Sequence, residues 1–107
     1  MKRGEVWTVS DRGSAGKPRP CVIVQDDRFD ATASIAICAF TSGETDAPLA
    51  RLRIEPDERN GLRAPSRVMI DKITTVQKEK LGERIGVLDA EDIARINRAL
   101  LVFLGLA

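Results

Sequence analysis

Short runs of apolar and β-branched residues, separated by polar loops, are the feature that most constrains the fold of this 107-residue chain. Two of these runs, residues 20–25 and 34–40, are dense in Val, Ile, Cys and Ala, which is typical of central strands buried on both faces. Further strands are predicted over residues 5–10, 49–54, 67–76 and 85–88. The chain is therefore predicted to be mainly β.

Only the C-terminal segment has clear helical spacing. Asp89 is a predicted N-cap, and Glu91 puts negative charge in the first turn, where it suits the helix dipole. Apolar side chains then recur at three- and four-residue intervals, at Ile93, Ile96, Leu100, Phe103 and Leu104. At this length we expect one domain over residues 1–107. The predicted architecture is a small antiparallel β-barrel or sandwich closed by one C-terminal helix.

Three polar loops separate the predicted strands. They cover residues 11–18, 41–48 and 56–65, and the third carries the Asn60-Gly61 turn signal. The connection over residues 26–33 is expected to hold a short helical turn. The first two loops adjoin the ends of the two most apolar strands.

The absence of histidine excludes several common catalytic designs. A Ser-His-Asp triad, a Cys-His pair, HExxH zinc chemistry and a two-histidine ribonuclease mechanism all need an imidazole. The formal net charge of +1, from 17 basic and 16 acidic residues, excludes a strongly polycationic nucleic-acid binder but is compatible with a local basic face. Catalysis must therefore depend on Arg, Lys, Thr, Ser, Asp or Glu.

Cys21 and Cys38 lie inside the two most apolar runs. We interpret them as buried, reduced thiols, because two thiols without histidine make a poor zinc site and a disulfide is unexpected in a cytoplasmic chain. No metal or cofactor is expected. The longest apolar stretch, residues 99–107, is too short to span a bilayer, and the N-terminus lacks a secretory signal pattern. We therefore expect a cytoplasmic protein with no membrane segment.

Arg19 and Thr41 are the residues best suited to catalysis. Pro18 and Pro20 hold Arg19 in extended geometry where a loop meets a buried strand. A guanidinium ordered in this way suits a phosphate, although a surface arginine beside a strand-starting proline also explains the pattern. Thr41 ends the next buried strand, where its hydroxyl can bind a phosphate oxygen or simply start a turn. If the two strands are antiparallel neighbours, both side chains share one rim.

Asp71 and Lys72 interrupt an otherwise apolar strand. Asp71 could contact base edges and Lys72 a phosphate, but simple alternation, with Asp71 exposed or paired with an arginine, explains them equally well. Because adjacent strand residues point to opposite faces, both can serve one site only if the strand ends or bulges there. Four arginines fit either a nucleic-acid backbone or a solvated surface: Arg51, Arg53, Arg63 and Arg67.

An ordered set of motifs covers essentially the whole chain. It begins with Arg3-Gly4-Glu5-Val6-Trp7, a glycine-containing loop and Arg19-Pro20-Cys21-Val22-Ile23-Val24. It continues with Phe40-Thr41-Ser42, Gly61-Leu62, residues 68–76, Lys80-Leu81, residues 85–88 and a helix ending in Leu104-Gly105-Leu106. This set resembles the MazF/PemK family of toxin endoribonucleases.

The resemblance implies an SH3-like barrel with a C-terminal helix, similar to MazF and CcdB and usually a homodimer. It implies sequence-selective, metal-independent cleavage of single-stranded RNA, mostly mRNA, held off by a cognate antitoxin whose acidic, disordered tail covers the RNA groove. The family's catalytic arginine falls on Arg19, its catalytic threonine on Thr41 and its strand aspartate on Asp71. The candidate substrate-binding residues are Lys17, Ser42, Asp71 and Lys72.

The chain departs from the family pattern at two points, and two other functions compete with the nuclease. Met69 stands where some relatives have a further catalytic arginine, and after Asp11 the loop before Arg19 lacks an acidic residue that some relatives carry. Cleavage specificity therefore does not transfer from those relatives. Related toxins of the CcdB type use the same barrel to bind gyrase, and a degenerate homologue would bind RNA without cutting it. A rim shared by an arginine and a threonine favours the nuclease.

Overall fold

The computed structural model describes residues 1–10, 17–44, 47 and 49–107, so most of the first predicted loop lies outside the described residues. Within these residues the chain forms seven strands and one α-helix. The strands are β1 (Glu5–Val9), β2 (Arg19–Ile23), β3 (Ser34–Thr41), β4 (Arg51–Ile54), β5 (Ser66–Met69), β6 (Thr74–Gln77) and β7 (Leu81–Val87), and the helix is α1 (Ala90–Phe103). Short 3-10 turns occupy Asp27–Phe29, Ile70–Lys72 and Lys78–Lys80.

The strands pair antiparallel in one sheet, whose main order is β4-β5-β3-β2-β1-β7. β3 is central because β2 pairs with one of its edges, while β5 and β6 share the other. The mainly antiparallel β fold with one C-terminal helix is confirmed, but the sheet is not closed, since β4 and β7 are not paired within the described residues. At the β7 edge, the N–H of Val87 donates instead to the carbonyl of Arg59 at 2.8 Å. The loop before β5 therefore occupies the place where a closing strand would pair.

The run predicted as one strand over residues 67–76 forms two strands, separated by the 3-10 turn Ile70–Lys72. Ile70 is fully buried, and its N–H donates to the carbonyl of Ala50 at 2.9 Å, which anchors the turn. Because of this turn, the chain pairs first with the end of β3 and then with its beginning. The prediction of a single strand is wrong because tertiary packing overrides the local β pattern.

Two apolar cores lie on opposite faces of the central strands, as the alternation of side chains along a strand requires. One core lies against α1 and includes Cys38 and Ile96, while the other includes Cys21 and Ile37. Both cysteines are free and fully buried, as predicted, and burial raises the pKa of each thiol to about 12. In the described part of the chain, no group of three or more cysteine or acidic side chains is placed to hold a metal ion.

The helix begins where the sequence predicts. The Asp89 carboxylate accepts the N–H of Asp92 at 2.8 Å, which is an N-cap. The predicted apolar face is buried as far as Leu100, whereas Phe103 and Leu104 are 46% and 52% exposed, because the contacts of α1 with the core end before its last turn. Among the described residues, no helix combines the length and apolar character needed to cross a membrane.

The loop over residues 56–65 is more ordered than its polar composition suggests. Asn60 is 1% exposed, and its side-chain amide makes three hydrogen bonds to backbone groups of the same region. Gly61 has a φ of +70°, and a Cβ there would lie 2.1 Å from the carbonyl oxygen of Ile85. The Asn60 hydrogen bonds therefore order the loop, and Gly61 lets it approach β7 more closely than a residue with a Cβ could.

Candidate active site

Arg19 lies at the start of β2, at an exposed rim of the sheet. Its backbone pairs with Val9 of β1, and the prolines on either side favour the same extended conformation. The side chain is exposed and has no recorded ion pair with another described residue. The sequence thus holds the backbone in place and leaves the guanidinium in solvent.

Thr41 is the last residue of β3 and is half-buried. Its hydroxyl oxygen accepts the N–H of Gly43 at 3.1 Å, so the turn-forming role considered from the sequence is present. That bond does not use the hydroxyl proton. The proton can therefore be donated to a phosphate oxygen.

The pairing of β2 with β3 places these two residues at the same end of the sheet. The β2–β3 pairs end at Cys21 and Ala39, and Arg19 and Thr41 lie two residues beyond them on their strands. Residues two apart on a strand point to the same face, so both side chains belong to the face of Cys21 and Ala39. The shared rim expected from an antiparallel pair is thus present, and the convergence of both groups on a single phosphodiester stays a prediction.

Asp71 lies in the 3-10 turn after β5 and forms a bidentate ion pair with Arg51. The Nε and Nη2 atoms of Arg51 donate to the two carboxylate oxygens at 2.7 and 3.0 Å. These hydrogen bonds lower the pKa of Asp71, outweighing the slight burial that raises it. A carboxylate with a lowered pKa is a weak proton acceptor at neutral pH. Asp71 is therefore an anionic acceptor of hydrogen bonds rather than a suitable general base.

The remaining candidates lie around the same end of the molecule or in the turn after β5. Ser42 lines a cavity beside the threonine hydroxyl. Lys17 is exposed shortly before β2, and Lys72 is exposed in the 3-10 turn. Strand β5 ends before this turn. The rule that adjacent strand residues point to opposite faces therefore does not apply to Asp71 and Lys72.

The cavity beside Thr41 has a volume of about 230 Å³ and is lined by two of the four arginines for which the sequence left open a nucleic-acid backbone or a solvated surface, Arg53 and Arg67. Arg67 lies opposite Thr41 in the β3–β5 pair, and Arg53 lies opposite Arg67 in the β5–β4 pair. The three side chains therefore form a row on one face. The sequence carried no signal for this row, because it depends on the register between strands that are distant along the chain.

The N-terminal motif that contributes to the family resemblance has a structural role. One carboxylate oxygen of Glu5 accepts the N–H of Lys2 and the indole N–H of Trp7, and the other pairs with Arg84 at 3.0 Å. Burial raises the pKa of Glu5, but these partners lower it overall. Gly4 has a φ of +88°, and a Cβ there would lie 2.6 Å from an isoleucine methyl group of α1. The motif joins β1 to β7 and α1, away from the rim.

A comparison with known protein families decides the assignment. The model of the PemK-like, MazF-like toxins of type II toxin-antitoxin systems matches residues 2–104. The chain belongs to the PemK/MazF toxin family.

Two curated relatives and one solved structure are similar to this toxin over nearly its full length. It is 55% identical to the probable endoribonuclease MazF of Mycolicibacterium smegmatis, covering 100% of the chain and 99% of that protein. It is 31% identical to the endoribonuclease EndoA of Bacillus subtilis, covering 99% of the chain and 96% of that protein. A mycobacterial endoribonuclease solved in complex with its cognate antitoxin matches with a TM-score of 0.83 and 28% identity, covering 100% of the chain and 97% of that one. The expected MazF-type fold is confirmed.

Proposed function

We propose that this toxin is a sequence-selective, metal-independent endoribonuclease that cleaves single-stranded RNA, mostly mRNA, and so inhibits translation and growth. The proposal is supported by the position of an arginine and a threonine at the same end of the β2–β3 pair, in a chain whose close relative is named a probable endoribonuclease. In this proposal the catalytic residues are Arg19 and Thr41. The substrate-binding residues are Lys17, Ser42, Asp71 and Lys72.

RNA supplies its own nucleophile, the 2′-OH beside the scissile phosphate. Its oxygen loses a proton and attacks phosphorus, and a phosphorane-like dianion forms. The bond to the 5′-oxygen then breaks, and that oxygen takes a proton from water, which leaves a 2′,3′-cyclic phosphate and a 5′-hydroxyl. Arg19 donates to two non-bridging oxygens as their charge grows, and Thr41 donates one further hydrogen bond. One pre-placed donor of this type contributes about 3–4 kcal/mol to transition-state stabilisation. DNA binds but survives, because it has no 2′-OH.

The proton from the 2′-OH goes most readily to solvent. Arg19 is unsuited to accept it, because a guanidinium carries only hydrogen-bond donors and stays charged in proteins. Asp71 is also unsuited, because its pair with Arg51 lowers its pKa. The rim is exposed, so water reaches the reacting groups.

We further propose that the toxin acts in the cytoplasm as a homodimer and is neutralised by a cognate antitoxin with an acidic, disordered tail. A structurally similar mycobacterial endoribonuclease was solved in complex with its own antitoxin. An acidic tail complements the positive charge of Arg19, Arg53 and Arg67 along the rim. Occupation of that rim would exclude RNA.

Incubation of the purified protein with RNA in EDTA tests the proposed activity. The wild type is expected to give fragments ending in 2′,3′-cyclic phosphate, and an antitoxin peptide is expected to suppress them. Arg19→Ala is expected to give none while keeping the wild-type melting temperature. Arg98→Ala, which removes an exposed arginine from α1, is the matched control and is expected to cut at the wild-type rate.

Cleavage retained by Arg19→Ala would overturn the assigned mechanism. Intact RNA together with a stalled topoisomerase would overturn the nuclease itself and support the CcdB-type alternative. RNA that is bound but never cut would indicate a degenerate homologue.

A further inference from the structure

A row of arginines runs from the catalytic rim to the outer edge of the sheet. Thr41 lies opposite Arg67, and Arg67 lies opposite Arg53. Opposed residues point to the same face, so the row runs perpendicular to the strands, and Arg19 lies beyond its Thr41 end, at the start of the neighbouring strand β2. Neighbouring strands are about 4.7–4.9 Å apart, so Arg53 lies roughly two strand spacings from Thr41.

This row opposes folding. Like charges placed directly opposite each other destabilise an antiparallel pair. Arg67 is half-buried and has no ion pair with another residue in the described ranges, while Arg53 pairs at 2.7 Å with Glu55, whose side chain is 66% exposed. Glu44, which is also exposed, lines the same cavity and is a further carboxylate near Arg53. Two guanidinium groups thus lie directly opposite each other, with exposed carboxylates beside one of them, where a rule of strand pairing is broken, and such exceptions are typical of functional sites.

The cavity beside the row supplies space and further donors. Its volume is about 230 Å³, and it is lined by Ser42, Arg53 and Arg67, and by Ser66, whose hydroxyl donates to the carbonyl of Ala64 at 3.0 Å. Guanidinium forks and a hydroxyl such as that of Ser42 are donors that bind nucleic-acid phosphates. Contacts of this type read the backbone and carry no base preference.

We propose that Arg67 and Arg53 are substrate-binding residues that contact the RNA phosphates flanking the scissile one on the β4 side. This inference rests on the proposed ribonuclease function and adds to it the path of the RNA backbone, which crosses β3, β5 and β4 in turn. The contacts are the same in the ground state and the transition state. They therefore lower KM and leave kcat unchanged.

The salt dependence of RNA binding measures how many phosphate contacts the protein makes. For single strands, the logarithm of the binding constant falls with the logarithm of salt concentration with a slope of about −0.7 per contact. The probe is a labelled, mixed-sequence RNA with 2′-O-methyl groups, which cannot be cut. Arg67→Gln is expected to make the slope shallower by about 0.7, and adding Arg53→Gln by about 0.7 more. Each single change is expected to weaken binding about tenfold at low salt.

Matched variants separate a phosphate contact from a structural effect. Arg98→Gln makes the same charge change on α1 and is expected to keep the wild-type slope. Arg67→Lys keeps the charge and is also expected to keep the slope. With cleavable RNA, Arg67→Gln is expected to raise KM and to leave kcat near its wild-type value, while the melting temperature stays at or slightly above that of the wild type because repulsion with Arg53 is removed. Because Arg53 is exposed, Arg53→Gln provides the test if Arg67→Gln is unstable.

The outcomes distinguish this inference from the function on which it rests. A wild-type slope in both glutamine variants, with cleavage intact, overturns the phosphate path and leaves the ribonuclease. Shallower slopes without any cleavage by the wild type overturn the ribonuclease and support the path as an RNA-binding surface. Absence of RNA binding overturns both.

Discussion

The Arg51–Asp71 ion pair predicts a pH-dependent difference in stability between the wild type and Asp71→Asn. The two side chains are 14% and 33% exposed, and both carboxylate oxygens are bonded, at 2.7 and 3.0 Å. Exposed pairs contribute about 0.2–1 kcal/mol, and the bidentate geometry with a mostly covered arginine places this pair near 1 kcal/mol. Removing it is expected to lower the melting temperature by about 4–8 °C at neutral pH.

The direction of the pH effect follows from the pKa of Asp71, which lies below its ordinary value of 3.8 in the folded protein. The unfolded chain therefore binds this proton more readily than the folded one. The stabilisation is fully present above the ordinary pKa and is lost as the pH falls through the folded pKa. Asparagine has no such proton, so the difference between the two proteins is largest at neutral pH and shrinks below pH 3.8.

Urea unfolding at neutral pH and through the acid range measures this difference. Arg51→Gln and the double variant complete a thermodynamic cycle, in which a coupling energy of about 1 kcal/mol is expected at neutral pH. The same Asp71→Asn protein is expected to keep kcat within about tenfold of the wild type, because loss of a true general base typically costs more. A stability difference that persists in acid, or a coupling energy near zero, would refute the reasoning.

Three further predictions concern the stability of the fold and the reactivity of its buried thiols. Gly61→Ala is expected to destabilise the fold by at least about 2 kcal/mol in thermal unfolding, because a φ of +70° is left-handed and the added Cβ would meet a β7 carbonyl oxygen at 2.1 Å. Arg67→Thr is expected to stabilise by up to about 1 kcal/mol, since it removes repulsion with Arg53 and adds a β-branched residue; a lower melting temperature would contradict this. Cys21 and Cys38 are fully buried, with the pKa of each thiol raised to about 12, so a thiol reagent is expected to modify them only as fast as the protein unfolds; rapid labelling of native protein would contradict this.

The sequence predicted the elements whose signal is local. The apolar runs over residues 20–25 and 34–40 became β2 and β3, and the N-cap at Asp89 begins α1. Adjacent buried strands also predicted that Arg19 and Thr41 share a rim, because an antiparallel pair brings the start of one strand beside the end of the next. Each of these features depends on neighbouring residues or on one simple pairing.

The features that escaped prediction depend on contacts between distant parts of the chain. The break after Met69 is set by the burial of Ile70 and its hydrogen bond to Ala50, which a local β pattern does not encode. The row formed by Arg67 and Arg53 depends on two registers that involve three strands. The open sheet likewise depends on the loop over residues 56–65, which bonds to the β7 edge where another strand would have to pair to close a barrel.

Coupling between Arg19 and Thr41 in RNA cleavage is the most direct test that both act on one phosphodiester. Single-turnover rates of the wild type, Arg19→Ala, Thr41→Val and the double variant form a kinetic cycle. If the two groups stabilise the same transition state, each single change is expected to slow cleavage about 10²–10³-fold, and the double change is expected to cost far less than the product of the two. Losses that multiply in full, or a single variant that still cuts at the wild-type rate, would contradict the account.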